Sequence, residues 1–224
     1  ITDFVIVEKS AGIGGTWYDN HYPGAACDIE SHLYSFSFEP NPHWSRSFAP
    51  QPEILEYLER CVDKYGLRSH IRCNVEIVRA TYDDAAARWR LETQHKGTAG
   101  EPLGARFVIA GTGGLSRPSL PDIAGLDQYQ GPMFHTARWD HDVPLDGKTV
   151  SIIGTGASAI QVIPQIAPRV GKLKVFQRTA PWIMPKRDRA LAPSEQSLFA
   201  KLPVAQKLAR AGQYLLHEAT AYGF

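Results

Sequence analysis

The sequence has few cysteines, almost no net charge and no long apolar run. Its three cysteines, Cys27, Cys61 and Cys73, are odd in number and show neither C-x-x-C nor metal-ligand spacing. This pattern argues against a redox disulfide and a metal site, and favours reduced thiols in the cytoplasm. The formal net charge of +1 gives no attraction to nucleic acid or to a membrane surface. No apolar run reaches the ~20 residues that span a bilayer, and the N-terminus lacks a signal-peptide pattern.

An initiator methionine is also missing, since the chain opens at Ile1. The apolar run from Phe4 to Val7, followed by Glu8, predicts a parallel strand that ends in an acid. In a dinucleotide-binding unit, an acid about 20 residues after the glycine turn accepts hydrogen bonds from a ribose. No glycine turn precedes Glu8 here. We therefore expect a fragment that lacks the first strand and the phosphate loop of its first nucleotide domain.

A glycine turn does occur within residues 150–159, V-S-I-I-G-T-G-A-S-A. It predicts a buried strand that leads into a helix over residues 157–166. Gly154 would allow the tight turn, Gly156 would let the backbone approach a pyrophosphate, and Ala159 would let helix and strand pack closely. The phosphates would then lie on the N–H groups of the helix N-terminus. A plain strand–helix turn without a ligand is the alternative.

The next predicted strand, residues 172–179, ends at the position that selects the nicotinamide cofactor. Arg178 lies 24 residues after Gly154 (178 − 154 = 24), where an NAD site would carry Asp or Glu. A carboxylate would repel a 2′-phosphate, whereas a guanidinium can hold it through two charge-assisted hydrogen bonds. The pattern therefore favours NADPH over NADH.

Other segments have simple periodicities. Residues 51–65 repeat apolar side chains at helical spacing, from Pro52 in the first turn to Gly66 as the stop. Two alternating runs, 71–82 and 88–93, predict a β-ribbon around a polar turn. Residues 105–111 predict another buried strand that runs into glycines. From residue 193 to 224 the pattern is mostly helical and is interrupted at Pro203.

The run over residues 129–140, Y-Q-G-P-M-F-H-T-A-R-W-D, resembles the fingerprint of the Baeyer–Villiger monooxygenases. That pattern is F-x-G-x-x-x-H-x-x-x-W followed by Pro or Asp. It matches at Gly131, His135, Trp139 and Asp140, and it departs at Tyr129, where the family usually has Phe. Fixed spacing of Gly, His and Trp is far more specific than a glycine loop.

Two further motifs resemble those of the same family's flavin domain: G-G-T-W over residues 14–17 and Y-P-G-A-A-C-D over residues 22–28. With them, the resemblance extends from Glu8 to about Arg187. It implies an α/β protein with two Rossmann-like dinucleotide-binding domains, one for FAD and one for NADPH, the first being incomplete. The implied division is a partial FAD-binding domain (1–113), a linker with the fingerprint (114–147), the first part of an NADP-binding domain (148–190) and the start of a helical insertion (191–224).

The resemblance also implies a reaction, that of a class B flavoprotein monooxygenase. In that family NADPH reduces bound FAD, and the reduced flavin uses O2 to insert one oxygen atom next to the carbonyl of a small ketone. The product is an ester or a lactone. The cofactors carry this chemistry, so no protein nucleophile or metal ion is expected.

Site residues follow from the same resemblance and from the nucleotide-binding patterns. Trp17 would lie along the flavin, and Asp28 and Tyr34 near its ring, where Asp28 would orient an arginine expected after Phe224. His135 and Trp139 would couple movement of the nicotinamide domain to the flavin site. The predicted catalytic residues are Asp28, His135 and Trp139. The predicted cofactor-binding residues are Glu8, Gly14, Gly15, Thr16, Trp17, Asp28, Tyr34, Val75, Gly154, Thr155, Gly156, Ala157, Ser158, Gln161, Arg178 and Thr179.

Three alternatives remain. A flavin-containing monooxygenase that oxidises amine nitrogen or sulfide sulfur shares the glycine loops, but Trp139-Asp140 and the block over residues 22–28 favour the Baeyer–Villiger type. An NADPH–disulfide reductase would require a C-x-x-C pair that the sequence lacks. A non-catalytic nucleotide-binding fragment is the alternative from outside the enzymes.

Overall fold

The computed structural model describes residues 2–183 and 185–221. They form two compact units. The first consists of the described residues up to Asp19 together with Leu58–Gln130. The second consists of Asn20–Tyr57 together with the described residues from Gly131 onward. The domain boundaries predicted at residues 113, 147 and 190 stay predictions.

The first unit contains a two-stranded parallel sheet and an antiparallel ribbon. Strand β1 (Ile6–Val7) pairs with β2 (Ile71–Arg72), and the short helix α1 (Thr16–Asp19) follows the glycine-rich turn. The ribbon pairs β3 (Glu76–Asp83) with β4 (Arg88–His95), which also pairs with β5 (Thr98–Ala99) and β6 (Leu103–Ala105). The predicted ribbon is confirmed.

The predicted single strand over residues 71–82 is wrong, because the structure divides it into β2 and β3. Asn74, between them, has a φ of +60°, a left-handed conformation that a regular strand does not use and that Asn tolerates. Its N–H donates to the Ser10 carbonyl, and the Val75 N–H donates to the Glu8 carbonyl. The chain therefore leaves β2, turns beside the end of β1 and then enters the ribbon.

The predicted buried strand over residues 105–111 is also wrong. Only β6 is paired, and it ends at Ala105, while Phe107 is 82% and Ile109 is 95% exposed. A strand requires a neighbour for its backbone N–H and C=O groups. Within the described residues, no strand lies beside this segment to supply one.

Helix α2 (Gln51–Lys64) confirms the predicted helix over residues 51–65. Gly66 follows it with a φ of +64°, which suits the left-handed stop of a helix. Because the units divide between Tyr57 and Leu58, this one helix contributes to both. In the second unit Trp44, Ile54 and Tyr57 are at most 3% exposed, and the Trp44 and Tyr57 rings lie 5.2 Å apart.

The nucleotide-type motif of the second unit has the predicted strand–helix–strand order. Strand β7 (Thr149–Ile153) pairs in parallel with β8 (Lys172–Phe176), and helix α3 (Ala157–Ile166) connects them. The prediction that β7 is buried is wrong, since exposed and half-buried residues alternate along it and Ile153 is 53% exposed. One face of the pair packs on a core that contains Tyr22, Ala25, Val162 and Ile166.

The predicted helical region begins with α4 (Pro193–Lys201) and α5 (Pro203–Ala221), separated at Leu202 as expected from Pro203. Residues 222–224 of that prediction lie outside the described residues. Polar contacts hold α5 to residues 30–41. Gln206 Nε2 donates to the Asn41 carbonyl at 2.7 Å, and Arg210 donates to the His32 and Ser35 carbonyls at 2.6 and 2.9 Å.

Candidate cofactor site and fingerprint

The turn between β7 and α3 places two glycines in different situations. Gly154 has a φ of +111°, which other residues adopt only with strain, and its N–H donates to the Phe176 carbonyl at 2.8 Å. Gly156 is the residue before α3, with an ordinary φ of −74° and no side chain capping the helix. A Cβ added at Gly156 would meet nothing within 4 Å. Backbone geometry therefore requires Gly154, whereas no atom of the residues that the structure describes would crowd a side chain at position 156.

The open space beside Gly156 lies at the N-terminus of helix α3. The first N–H groups of an α-helix have no partner within the helix and carry partial positive charge. Thr155, Ala157 and Ser158 surround this turn, and Ala157 is the first residue of α3. Ala159 is 8% exposed and faces the core, which agrees with its predicted packing role.

Arg178 and Thr179 follow the second strand of the same sheet. Ile153 is opposite Phe176 in the parallel register, so the glycine turn and Arg178 leave the sheet at one edge. Both Arg178 and Thr179 are exposed. Nucleotides bind at the carboxyl edge of such parallel strands. The glycine turn and the exposed Arg178 therefore leave the sheet at the same edge, and the prediction that they bind a cofactor stays untested.

The side chain of Gln161 forms hydrogen bonds with the Y-P-G-A motif within the second unit. Its Oε1 accepts from the Tyr22 hydroxyl at 2.8 Å and from the Ala26 N–H at 3.3 Å, and its Nε2 donates to the Ala26 carbonyl at 2.9 Å. A Cβ at Gly24 would come within 2.7 Å of the Gln161 carbonyl. The prediction that Gln161 contacts a cofactor stays untested. Its amide joins α3 to the motif, a contact that the sequence analysis missed.

Of the fingerprint residues, Trp139 lies beside the same core. His135 precedes a single 3₁₀ turn (Thr136–Arg138), and its Nδ1 accepts from the Ala137 N–H at 3.0 Å, which places the ring proton of neutral His135 on Nε2. Trp139 packs against the core and makes an edge contact with Phe134, with ring centroids 5.1 Å apart. The tertiary structure thus gives Trp139 a packing role.

Two histidines join the fingerprint region to the Y-P-G-A motif. The Nδ1 of His21 lies 2.8 Å from the Nε2 of His141, and the two rings are stacked with centroids 5.0 Å apart. One ring therefore donates and the other accepts, with roles set by their tautomers. The sequence contained no signal for this pair, because 120 residues separate its members.

Asp28 and Tyr34 are exposed members of the second unit, and Tyr34 is 41% exposed. Asp28 follows Cys27, whose side chain is 3% exposed. Burial raises the pKa of the Cys27 thiol, so this sulfur stays protonated and is a poor nucleophile. In the motif over residues 22–28, Tyr22, Ala25 and Cys27 are buried. The motif ends in the exposed carboxylate of Asp28.

The first unit contains the other predicted flavin contacts. Glu8 follows β1, and its Oε1 accepts from the Ser10 N–H at 2.8 Å. Gly14 and Gly15 have φ values of +122° and +52°, and they lead into α1 with Thr16 exposed and Trp17 half-buried. Val75 is 7% exposed. Glu8 and the glycine-rich turn thus lie within one unit, with the acid at the end of a parallel strand as predicted.

An open cavity of about 280 Å³ lies within the second unit. Its lining includes Tyr22, Arg46, Phe48, Gln51 and Asp188. Pockets that hold drug-sized ligands measure roughly 300–1,000 Å³. The cavity is therefore too small to hold a dinucleotide by itself.

The described residues contain no group of three His, Cys, Asp or Glu side chains placed to hold a metal ion. None of the helices in this part of the chain is long and apolar enough to cross a membrane.

Comparison with known proteins supports the motifs. A family model described as pyridine nucleotide-disulphide oxidoreductase matches residues 1–216. A Baeyer-Villiger monooxygenase of Pseudomonas aeruginosa is 50% identical over 222 residues, 99% of this chain and 41% of that protein. One of Streptomyces coelicolor is 50% identical over 224 residues, 100% of this chain and 42% of that protein.

Among solved structures, the cyclohexanone monooxygenase from Rhodococcus sp. Phi1 bound to NADP⁺ matches with a TM-score of 0.79 and 41% identity. The match covers 87% of this chain and 37% of that one. The chain thus spans 41–42% of the length of the two relatives named above. These matches confirm the resemblance to Baeyer–Villiger monooxygenases and the Rossmann-type α/β fold.

Proposed function

Because this chain belongs to the pyridine nucleotide-disulphide oxidoreductase family, we propose that it forms the cofactor-binding part of an FAD- and NADPH-dependent monooxygenase. The reaction inserts one oxygen atom from O2 next to the carbonyl of a small ketone and gives an ester or a lactone. The family also contains disulfide reductases by its description, but Cys27, Cys61 and Cys73 cannot form their C-x-x-C pair.

The observation that carries the proposal is the common edge of β7 and β8. At this edge the open turn at Gly156, which we propose binds phosphate, lies with Arg178. The fingerprint and the overall sequence of the chain resemble those of Baeyer–Villiger monooxygenases. Bound FAD and NADPH would supply the redox chemistry with O2. The similar Rhodococcus structure has NADP⁺ bound, and another similar structure is a complex with FAD and NADP.

The residues of this chain have distinct roles in the proposal. Glycines 154 and 156 and the α3 N-terminus bind the pyrophosphate of NADPH, and Arg178 with Thr179 binds its 2′-phosphate. Glu8 binds the adenosine ribose of FAD, and Trp17 lies along the flavin. Exposed Asp28 orients a cationic group beside the flavin ring. His135 shapes the turn of the fingerprint segment through its bond from the Ala137 N–H, and Trp139 packs that segment against the core next to the nucleotide motif.

The substrate is a small ketone, and we expect no nucleic-acid or membrane partner. We place the protein in the cytoplasm because its three cysteines are odd in number and lack C-x-x-C and metal-ligand spacing, a pattern that favours reduced thiols. Similar structures are described with cyclohexanone or ε-caprolactone bound, so a cyclic ketone is the first substrate to test.

The test uses the natural full-length protein with NADPH, O2 and a mixed panel of cyclic ketones, sulfides and amines, with products identified by mass spectrometry. Lactones or esters support the proposal. Sulfoxides or N-oxides alone would assign the chain to the flavin-containing monooxygenase type. A colourless protein that binds neither cofactor would leave only a non-catalytic role.

A further inference from the structure

The segment after β8 is paired with a distant stretch of the same unit. The Ser47 N–H donates to the Arg189 carbonyl at 2.9 Å, and the Leu191 N–H donates to the Ser45 carbonyl at 2.9 Å. Between these bonds, Arg46 and Ala190 form an antiparallel bridge. We call residues 186–191 the strap. Its backbone is therefore held in register against residues 45–47.

Charged side chains fix the strap further. The Arg46 Nε lies 2.9 Å from the Asp188 Oδ2, and the Asp188 Oδ1 accepts from the Phe48 N–H at 3.3 Å. Arg189 makes two bonds of 2.7 Å to Glu195 in the first turn of α4. Such paired carboxylate–guanidinium contacts fix direction as well as distance. The strap is thus anchored both to residues 46–48 and to α4.

Lys186 begins the strap and contacts the motif that ends at Asp28. Its Nζ donates to the Cys27 carbonyl at 2.7 Å and lies 4.6 Å from the centre of the Phe48 ring. On its other side, the Cys27 N–H donates to the Ala49 carbonyl at 3.0 Å. Residue 27 is therefore held at both of its backbone polar groups.

The peptide bond carries this restraint directly to the next residue. The Cys27 carbonyl and the Asp28 N–H belong to one planar group, so the direction of the carbonyl sets the direction of the Asp28 backbone. A charged donor makes a stronger bond to this carbonyl than a neutral one would. Lys186 also has its charge engaged here, at a site other than the one proposed for the 2′-phosphate.

We propose that Lys186 is a positioning residue for Asp28, which it orients through the Cys27 carbonyl. This inference rests on the proposed function, in which Asp28 acts beside the flavin. Because the Nζ of Lys186 is bonded to the Cys27 carbonyl, we assign it no direct contact with cofactor or substrate. Its loss should therefore reduce the share of NADPH oxidation that yields oxygenated product, while the affinity for NADPH stays the same.

The experiment compares Lys186→Met, Lys186→Arg and the matched control Lys207→Met, an exposed lysine of α5, in the full-length protein. For Lys186→Met we expect the ratio of ester or lactone to hydrogen peroxide to fall about tenfold, as loss of a charge-assisted bond allows. The KM for NADPH and the FAD content should stay at wild-type values. Lys186→Arg should restore part of the ratio. An unchanged ratio, or a KM for NADPH that rises together with a fall in the ratio, would overturn the proposal.

A double mutant separates positioning from general damage. If Lys186 acts through Asp28, then Lys186→Met should add little to the defect of Asp28→Asn. Additive defects would mean that Lys186 acts elsewhere.

Amide hydrogen exchange tests the positioning role of Lys186 without measuring enzyme activity. The peptide that contains residues 24–34 should exchange faster in Lys186→Met than in Lys207→Met, because the Cys27–Asp28 peptide loses an anchor. Equal exchange would overturn the positioning role. If exchange rises while the wild-type protein oxygenates nothing, the proposed function fails but the positioning of Asp28 stands.

Discussion

Gly154 and Gly156 lie two residues apart, yet their environments differ in a way that experiment can separate. Gly154→Ala should destabilise the protein by about 1–2 kcal/mol because its φ of +111° is strained for any side chain. Gly156→Ala should leave stability unchanged, because its φ is ordinary and the added Cβ meets no atom of the described residues within 4 Å. Thermal unfolding with and without NADP⁺ measures both effects.

Unfolding measured in the presence of NADP⁺ tests the phosphate site proposed at Gly156. The Gly156→Ala protein should lose most of the rise in Tm that NADP⁺ causes, since the new methyl group occupies the space assigned to the pyrophosphate. A full NADP⁺-dependent rise in Gly156→Ala would contradict the pyrophosphate site.

Arg178 decides the nicotinamide cofactor in our proposal. Arg178→Ala should raise the KM for NADPH about 10- to 100-fold, because charge-assisted hydrogen bonds to the 2′-phosphate are lost, and should leave the KM for NADH nearly unchanged. Lys174→Ala, which removes an exposed cation from β8, is the control. Steady-state kinetics with both cofactors measures this, and an equal rise for NADPH and NADH would count against the assignment.

At the scale of elements, helix α3 follows the glycine turn at Gly156 and also contributes side chains to the core. Ile166 is 1% exposed within the core, whereas Ile160 on the same helix is 44% exposed. Ile166→Ala should cost about 2–5 kcal/mol of unfolding free energy through lost burial and a cavity. Ile160→Ala should cost far less. The shift of the urea unfolding midpoint measures the difference, and equal shifts would show that α3 packs by another face.

Helix α4 depends on a carboxylate in its first turn. The Arg189 guanidinium, together with the Ala192 N–H, lowers the pKa of Glu195 to about 2 from its ordinary 4.5. Because the folded-state pKa is the lower one, this stabilisation is present above about pH 4.5 and is lost as the pH falls towards 2.

The corresponding variant is Glu195→Gln. It should be less stable than the wild type at neutral pH by no more than about 1 kcal/mol, since solvent screens the pair. The gap should narrow as the pH falls below 4.5, the ordinary carboxyl pKa. Urea unfolding of both proteins across this pH range checks it. A gap that does not change with pH would show that the charge of Glu195 is irrelevant to α4.

At the scale of the whole molecule, several large apolar side chains are almost fully exposed. They are Phe107, Ile109, Leu115 and Trp182, at 82%, 95%, 75% and 101% exposure. Contiguous or repeated exposure of this kind promotes association. We expect the 224-residue chain, expressed by itself, to bind a hydrophobic dye and to self-associate. Size-exclusion chromatography should show less association for Ile109→Lys, while a monodisperse, dye-free wild-type chain would contradict this.

The sequence by itself determined the features that depend on neighbours along the chain. The helices α2 and α3, the ribbon, the β7–α3–β8 order and the break at Pro203 follow from periodicity, glycine and proline. The fingerprint spacing and the basic residue at 178 likewise lie in short stretches. Local conformational preference and short motifs carry this information, so no tertiary structure was needed to find it.

Only the tertiary structure decided which side chains serve packing and which remain open. Gln161 contacts Ala26 across 135 residues, and Lys186 contacts Cys27 across 159 residues. No periodicity records such partners. The strand predicted over residues 105–111 does not form for a related reason. An apolar run becomes a strand only where a neighbouring strand pairs with its backbone N–H and C=O groups. Whether a residue finds its partner is therefore a property of the fold.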